Sequence, residues 1–138
     1  MSKLSEYVET HEIFEVKDFY YPCFNSIMGL YSPTTAAIYG IIFNLSKKLG
    51  YSTASIEAIA LRAGVSPATA KRTLKKLKQE GLIEDVTPER SKWQKGKYGN
   101  MKQVRHYKPN LWRHDELKGI WANSEKNPIN KNNSPSNN

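Results

Sequence analysis

The chain has 138 residues, a length typical of one domain, and 38% of them are apolar. Its net charge of +8 is concentrated in residues 62–105, which hold twelve Lys and Arg against four acidic residues, and this favours a polyanionic partner over a general solubility effect. A single cysteine, Cys23, excludes an intrachain disulfide and a multi-cysteine metal site, and its thiol is expected to be buried.

The first strong structural signal is a predicted helix over 33–49. Ser32 is a good N-cap, Pro33 suits the first helical position, and apolar residues then recur every three or four positions. Gly50 lies where such a helix would stop. Residues 1–31 are expected to form an N-terminal extension that packs on the domain.

Two shorter helices follow, with a tight turn between them. The first is predicted to begin after Ser55 and end at Gly64, and the second to begin after Ser66 and end before Gly81. A helix, a turn containing glycine and a second helix over 55–80 have the spacing of a helix-turn-helix.

Beyond these helices the apolar period changes, and a β-hairpin is predicted. Residues 82–83 enter an extended segment, residues 90–102 contain turn-forming glycines, and residues 101–107 alternate in part, as a strand does. Two strands joined by a basic loop after a helix-turn-helix form a wing. The expected fold class is therefore mainly α with a small β-hairpin, a winged helix-turn-helix over 32–109.

Two segments complete the predicted organisation. A short C-terminal helix is expected over 110–122, and residues 123–138 contain so few apolar side chains that a disordered tail is predicted. The apolar side chains of the helix, which either cover the core or form a dimer interface, are Trp112, Leu117, Ile120 and Trp121.

The predicted helix 67–80 carries the strongest functional signal. Its only acidic residue is Glu80, and the first part of the second helix of a helix-turn-helix enters the major groove of DNA. Arg72 could pair bidentately with guanine, whereas the alternative is an ordinary solvated basic face. The residues expected to read base edges are Ala68, Thr69, Lys71 and Arg72. Those expected at the helix start or nearer phosphates are Ser66, Pro67, Lys75 and Lys76.

The basic loop of the predicted wing is a second candidate DNA contact. Basic side chains at a hairpin tip can enter a minor groove or lie along phosphates. Trp93 could stack on a sugar or base, or could instead anchor the hairpin to the body of the domain. The candidate wing residues are Arg90, Lys92, Trp93, Lys95, Lys97, Lys102 and Arg105.

Other classes of protein find little support in the sequence. The start of the chain lacks the apolar core of a signal peptide, and no apolar run is long enough to span a bilayer, so a cytoplasmic protein without membrane association is expected. His11, His106 and His114 show no metal-ligand spacing, and no nucleotide-binding loop or nucleophile motif occurs. We expect no enzyme activity, no metal and no small-molecule cofactor.

Four runs, at 31–42, 49–55, 59–77 and 80–83, resemble the winged helix-turn-helix proteins of phages, plasmids and conjugative elements of Gram-positive bacteria. They are also similar to the N-terminal domain of DnaD-like replisome organisers and plasmid replication initiators. The most specific part lies between Gly64 and Leu77. The residues there that match the usual pattern are Ser66, Thr69, Arg72 and Leu74.

This resemblance implies sequence-preferring binding of double-stranded DNA, and a transcriptional regulator of a mobile genetic element is the favoured role. A protein of replication initiation or plasmid maintenance is the first alternative, and a winged-helix protein-interaction module is the second. The loop at 90–102 is longer than the usual wing, and the chain has a tail where such replication proteins continue into a second domain. Helix-turn-helix proteins often form homodimers that span successive major grooves, and the sequence leaves that arrangement open.

Overall fold

The computed structural model describes residues 19–88, 93–95, 101–103 and 105–132, with the backbone alone described for 93–95, 101–103 and 131–132. These residues form helices and four short strands. In chain order they are α1 (Asn25–Leu30), α2 (Pro33–Leu45), α3 (Ile56–Ala63), α4 (Pro67–Gln79), β1 (Ile83–Asp85), β2 (Trp93–Lys95), β3 (Met101–Gln103), β4 (Tyr107–Pro109), α5 (Leu111–Ala122) and α6 (Pro128–Asn132). No helix within the described ranges is long and apolar enough to cross a membrane.

Helix α2 is the central element, because α1, α3, α4 and β4 all pack against it. Its N-cap is Ser32, whose Oγ accepts a hydrogen bond from the Thr35 N–H at 3.1 Å. The helix ends at Leu45, four residues before the predicted end. The Ser46 hydroxyl donates to the carbonyl of Ile42, and such a local bond competes with helix continuation where no further apolar residues face the core.

The segment before α1 lies directly on α2. A Cβ atom added to Gly40 would stand 1.7 Å from the carbonyl oxygen of Pro22, so glycine is required for this close approach. Phe24 packs edge-on against the ring of Tyr39 in α2. Neighbouring side chains of this extended segment point in different directions, and Cys23 is exposed. The prediction of a buried thiol is therefore wrong.

The helix-turn-helix is formed by α3 and α4. Ser55 caps α3, and Gly64 ends it in the left-handed conformation, with a φ of 69°. The Val65 N–H then donates to the carbonyl of Ala60 at 3.0 Å, which closes the turn. Ser66 caps α4 directly afterwards, as the sequence predicts. The buried apolar residues of the two helices join the same core cluster.

The hairpin that follows contains two antiparallel ladders. β1 pairs with β4, and β2 pairs with β3. Ser52 adds a single bridge to the first ladder through two hydrogen bonds with Tyr107, of 2.7 and 2.9 Å. The predicted strand at 101–107 is divided between β3 and β4. Seven residues connect β1 to β2, whereas only three connect β3 to β4. Because the two connections differ in length, the two ladders cannot continue into each other in a single register.

This mainly helical architecture with an antiparallel hairpin confirms the predicted fold class, a winged helix-turn-helix. The last described helices cover one side of it. Asn110 caps α5, and Leu117 and Trp121 are buried. Trp112 and Ile120 are instead 79% and 49% exposed, so the four apolar residues predicted for this helix are divided between its two faces.

Residues 123–132 form a turn and helix α6, which differs from the disordered tail that the sequence predicts. Asn127 is 8% exposed, donates to the carbonyl of Trp121 and accepts from the Ile129 N–H, both at 3.1 Å. Asn130 donates to the carbonyl oxygens of Ala122 and Ser124. These amide hydrogen bonds order the segment, and a count of apolar residues overlooks them. Residues 133–138 lie outside the described ranges.

Candidate nucleic-acid interface

Helix α4 has one buried face and one strongly basic face. Its buried residues are Ala70, Thr73, Leu74 and Leu77. Its exposed cationic residues are Lys71, Arg72, Lys75, Lys76 and Lys78. No acidic residue occurs between Pro67 and Gln79. The cations therefore point away from the core without an acidic neighbour on the same helix.

Four residues run along the centre of this exposed face, namely Ala68, Arg72, Lys75 and Gln79. We call them the central strip. At about 100° per residue, these four positions lie opposite the buried stripe. Gln79 was missed in the sequence analysis, although its spacing of eleven residues from Ala68 indicates the same face. The flanks of the strip hold Lys71 and Lys78 on one side and Thr69 and Lys76 on the other.

The start of α4 is fixed by its own side chains. The Thr69 N–H donates to the Ser66 Oγ at 3.1 Å, and the Ser66 hydroxyl donates back to the Thr69 Oγ1 at 3.0 Å. Pro67 occupies the first helical position, where no N–H is needed. Arg72 Nη2 donates to the same Thr69 Oγ1 at 3.2 Å. The guanidinium is therefore held beside the first turn of the helix.

The other end of α4 is attached to distant parts of the chain. The Tyr31 hydroxyl donates to Glu80 Oε1 at 2.8 Å, and Arg113 Nε donates to the Glu80 carbonyl oxygen at 3.0 Å. Burial, together with the hydrogen bond to Glu80, raises the pKa of Tyr31 to about 12, so this hydroxyl remains a donor at neutral pH. Lys76 Nζ lies 5.6 Å from the centre of the Tyr31 ring. Sequence reasoning missed this cluster, because its members are far apart in the chain.

The candidate wing residues are placed unequally. Trp93 and Lys95 lie on β2, and Lys102 lies on β3. Arg105 lies just before β4, where its Nη1 is 2.7 Å from Asp85 Oδ2. The candidates that lie outside the described residues are Arg90, Lys92 and Lys97.

The pair of Arg105 and Asp85 fastens the base of the hairpin. Burial alone would raise the pKa of Asp85, but hydrogen bonds from Thr87 and the charge of Arg105 lower it below its usual value. The His106 N–H donates to the Thr87 hydroxyl at 2.8 Å, which extends this network across the ladder. Arg105 thus has a partner within the fold, and its contact with DNA remains a prediction.

The two described histidines pack against aromatic side chains. The rings of His106 and Tyr51 lie 5.0 Å apart, and His114 Nδ1 is 3.1 Å from the Tyr39 hydroxyl. Burial lowers the pKa of His114. In the part of the chain that the structure describes, no cluster of three His, Cys, Asp or Glu residues could hold a metal ion.

Residues 32–83 match the family model of a helix-turn-helix domain. The match extends from the N-cap of α2 to the first residue of β1 and includes the whole basic face of α4. A helix-turn-helix domain supports DNA binding as the general activity of the chain and points away from catalysis. Comparisons with curated proteins and with solved structures gave no match.

Proposed function

We propose that this protein binds double-stranded DNA with sequence preference, as a transcriptional regulator of a mobile genetic element that acts in the cytoplasm. The observation that carries the proposal is the exposed face of α4, the second helix of the helix-turn-helix within the matched domain, which combines five cations with no acidic residue. The mobile-element role is supported by the resemblance of about residues 13–109 to regulators of that kind.

In this proposal the first turns of α4 enter the major groove, and the central strip faces the base edges. Arg72 pairs with the O6 and N7 acceptors of guanine, while the methyl group of Ala68 can contact thymine. Lys71, on one flank of the strip, can reach the same edge of guanine, and Lys78, on the same flank near the end of the helix, lies where a phosphate would pass. Lys75 also lies on the strip, but beyond the first turns of the helix, and it contacts a phosphate in this proposal.

The hairpin provides the second contact. The ladder of β2 and β3 belongs to the stretch that carries the candidate wing cations. We propose that these cations lie along the backbone or in the minor groove next to the site of α4. The pair of Arg105 and Asp85 would hold the hairpin at its base while its outer part meets DNA.

Replication initiation and plasmid maintenance use the same mode of DNA binding and remain alternatives at the level of the biological role. The protein-interaction alternative has one observation in its favour, the exposed face of α5. Trp112 and Leu111 lie there, 79% and 57% exposed, next to Asp115 and Glu116. Two acidic residues disfavour DNA on this face, so a protein, including a second copy of the chain, is the better fit.

The decisive experiment is selection of bound sequences from a random pool of duplexes at about 150 mM salt, where loose electrostatic binding is suppressed. We expect an enriched motif, and two-fold symmetry in it would indicate a homodimer. Lys118→Ala is the matched control, because it removes an exposed cation from α5 and leaves α4 intact. Absence of enrichment, with weak salt-sensitive binding only, would contradict sequence preference.

A further inference from the structure

The contact between Arg72 and Thr69 gives Thr69 a role different from reading bases. Thr69 Oγ1 accepts hydrogen bonds from both the Ser66 hydroxyl and Arg72 Nη2. An exposed arginine is ordinarily free to sample many rotamers, and it loses that freedom when it binds. Here one N–H of the guanidinium is already engaged within the helix, and the remaining donors are left for a ligand.

The position of this acceptor is set by the helix itself. Ser66 is the N-cap, and its Oγ accepts from the Thr69 N–H while its hydroxyl donates to the Thr69 side chain. These two bonds form a closed loop, and the β-branched side chain of Thr69 has few rotamers in a helix. The Thr69 Oγ1 is consequently a fixed point at the first turn, the part of α4 that would enter the groove first.

The small side chain of Ala68 completes the arrangement. Ala68 and Arg72 are successive members of the central strip, four residues apart on the same face. Long helical side chains lean toward the N-terminus, over the preceding turn. A methyl group at Ala68 leaves that space open, so the guanidinium can lie over the first turn with Thr69 at its side.

We infer that Thr69 is a positioning residue that pre-orients the Arg72 guanidinium for bidentate pairing with the O6 and N7 acceptors of one guanine. This inference rests on the proposed function and deepens it, because it assigns the specificity at one base position to a pair of residues. Thr69 acts on the preference through Arg72 and not through its own contact with a base. Serine can replace threonine here, since it keeps the hydroxyl, whereas valine cannot.

The test compares Thr69→Val with Thr69→Ser on the selected duplex and on the duplex with guanine replaced at the position that Arg72 reads. Thr69→Val should reduce the preference for guanine about fivefold to tenfold, the equivalent of one hydrogen bond of ordinary net strength. Thr69→Ser should keep the wild-type preference. Binding of either variant to a scrambled duplex should not change.

A second measurement needs no DNA. The order parameter of the Arg72 Nε–H bond, from NMR relaxation of the free protein, should fall in Thr69→Val and stay at the wild-type value in Thr69→Ser. Valine retains the backbone N–H that caps onto Ser66, so a thermal melt should show that both variants fold.

Three outcomes would overturn the inference. A guanine preference unchanged in Thr69→Val removes the role of Thr69 and leaves the proposed function intact. An equal effect of Thr69→Val in wild type and in an Arg72→Ala background shows that Thr69 acts without Arg72. A wild-type protein that selects no sequence overturns both the proposed function and this inference.

Discussion

The two helices α4 and α5 are built alike and differ in what they expose. They have 13 and 12 residues, and each begins at a polar N-cap whose side chain accepts a backbone N–H. Each buries one face in the body of the domain. Their outer faces have different character, because every charged residue that α4 exposes is a cation, whereas α5 exposes a tryptophan with charges of both signs.

The pairing of the charges sharpens this difference. In α5, Arg113 pairs with Glu116 and Lys118 pairs with Asp115, so the charges of the helix largely neutralise each other. The cations of α4 form no ion pair with any acidic residue in the described ranges. Caps and buried faces thus determine where a helix lies, and the uncompensated charge on the outer face distinguishes the surface that we propose for DNA.

The largest expected effect concerns the buried face that each of the two helices has. Leu77→Ala in α4 and Leu117→Ala in α5 should each lower the free energy of unfolding by about 2–5 kcal/mol, because both side chains are buried and each truncation leaves a cavity. Urea unfolding measures the loss. A cost well below 1 kcal/mol for Leu117→Ala would mean that α5 is not an integral part of the fold. The two helices would then differ in their buried faces as well as in their outer faces.

The second largest expected effect concerns DNA binding by the outer face of α4. Arg72→Ala should weaken binding to the selected duplex by about 1–3 kcal/mol and relax the preference at one base position. Titrations against the selected duplex and its single-base variants measure both quantities. If binding to every duplex fell equally, Arg72 would be a phosphate contact and the assignment of the central strip would need revision.

The smallest expected effect uses two lysines that carry the same charge on different helices. Lys75→Ala should reduce the slope of log K against log salt by about one unit, because one phosphate contact is lost. Lys118→Ala should leave this slope unchanged, since α5 faces away from DNA in the proposed complex. Equal slopes for both variants would indicate that binding depends on total charge and not on the face of α4.

The sequence predicted the features that depend on neighbouring residues. The caps at Ser32, Ser55 and Ser66 and the turn at Gly64 are local, since each involves hydrogen bonds within a few positions. The basic face of α4 could be predicted for the same reason, because a helix of known start and end fixes which residues share a face.

The features that were missed depend on partners far away in the chain. The hydrogen bond from Tyr31 to Glu80 spans 49 positions, and the one from Arg113 to the Glu80 carbonyl spans 33. The division of the hairpin into two ladders depends on a difference in the lengths of its connections, which alternation of residues does not reveal. The exposure of Cys23 depends on how its segment crosses α2.

The attachment at Glu80 fixes the orientation of α4 at its C-terminal end. A helix of 13 residues is about 20 Å long, so a tilt of about 10° about its C-terminal end would displace its first turn by about 3 Å. A displacement of that size would break every hydrogen bond to a base edge, since such bonds tolerate only a few tenths of an ångström. In the proposed complex, the accuracy with which Arg72 meets its base would therefore depend on the far end of the helix, where Tyr31 and Arg113 hold Glu80.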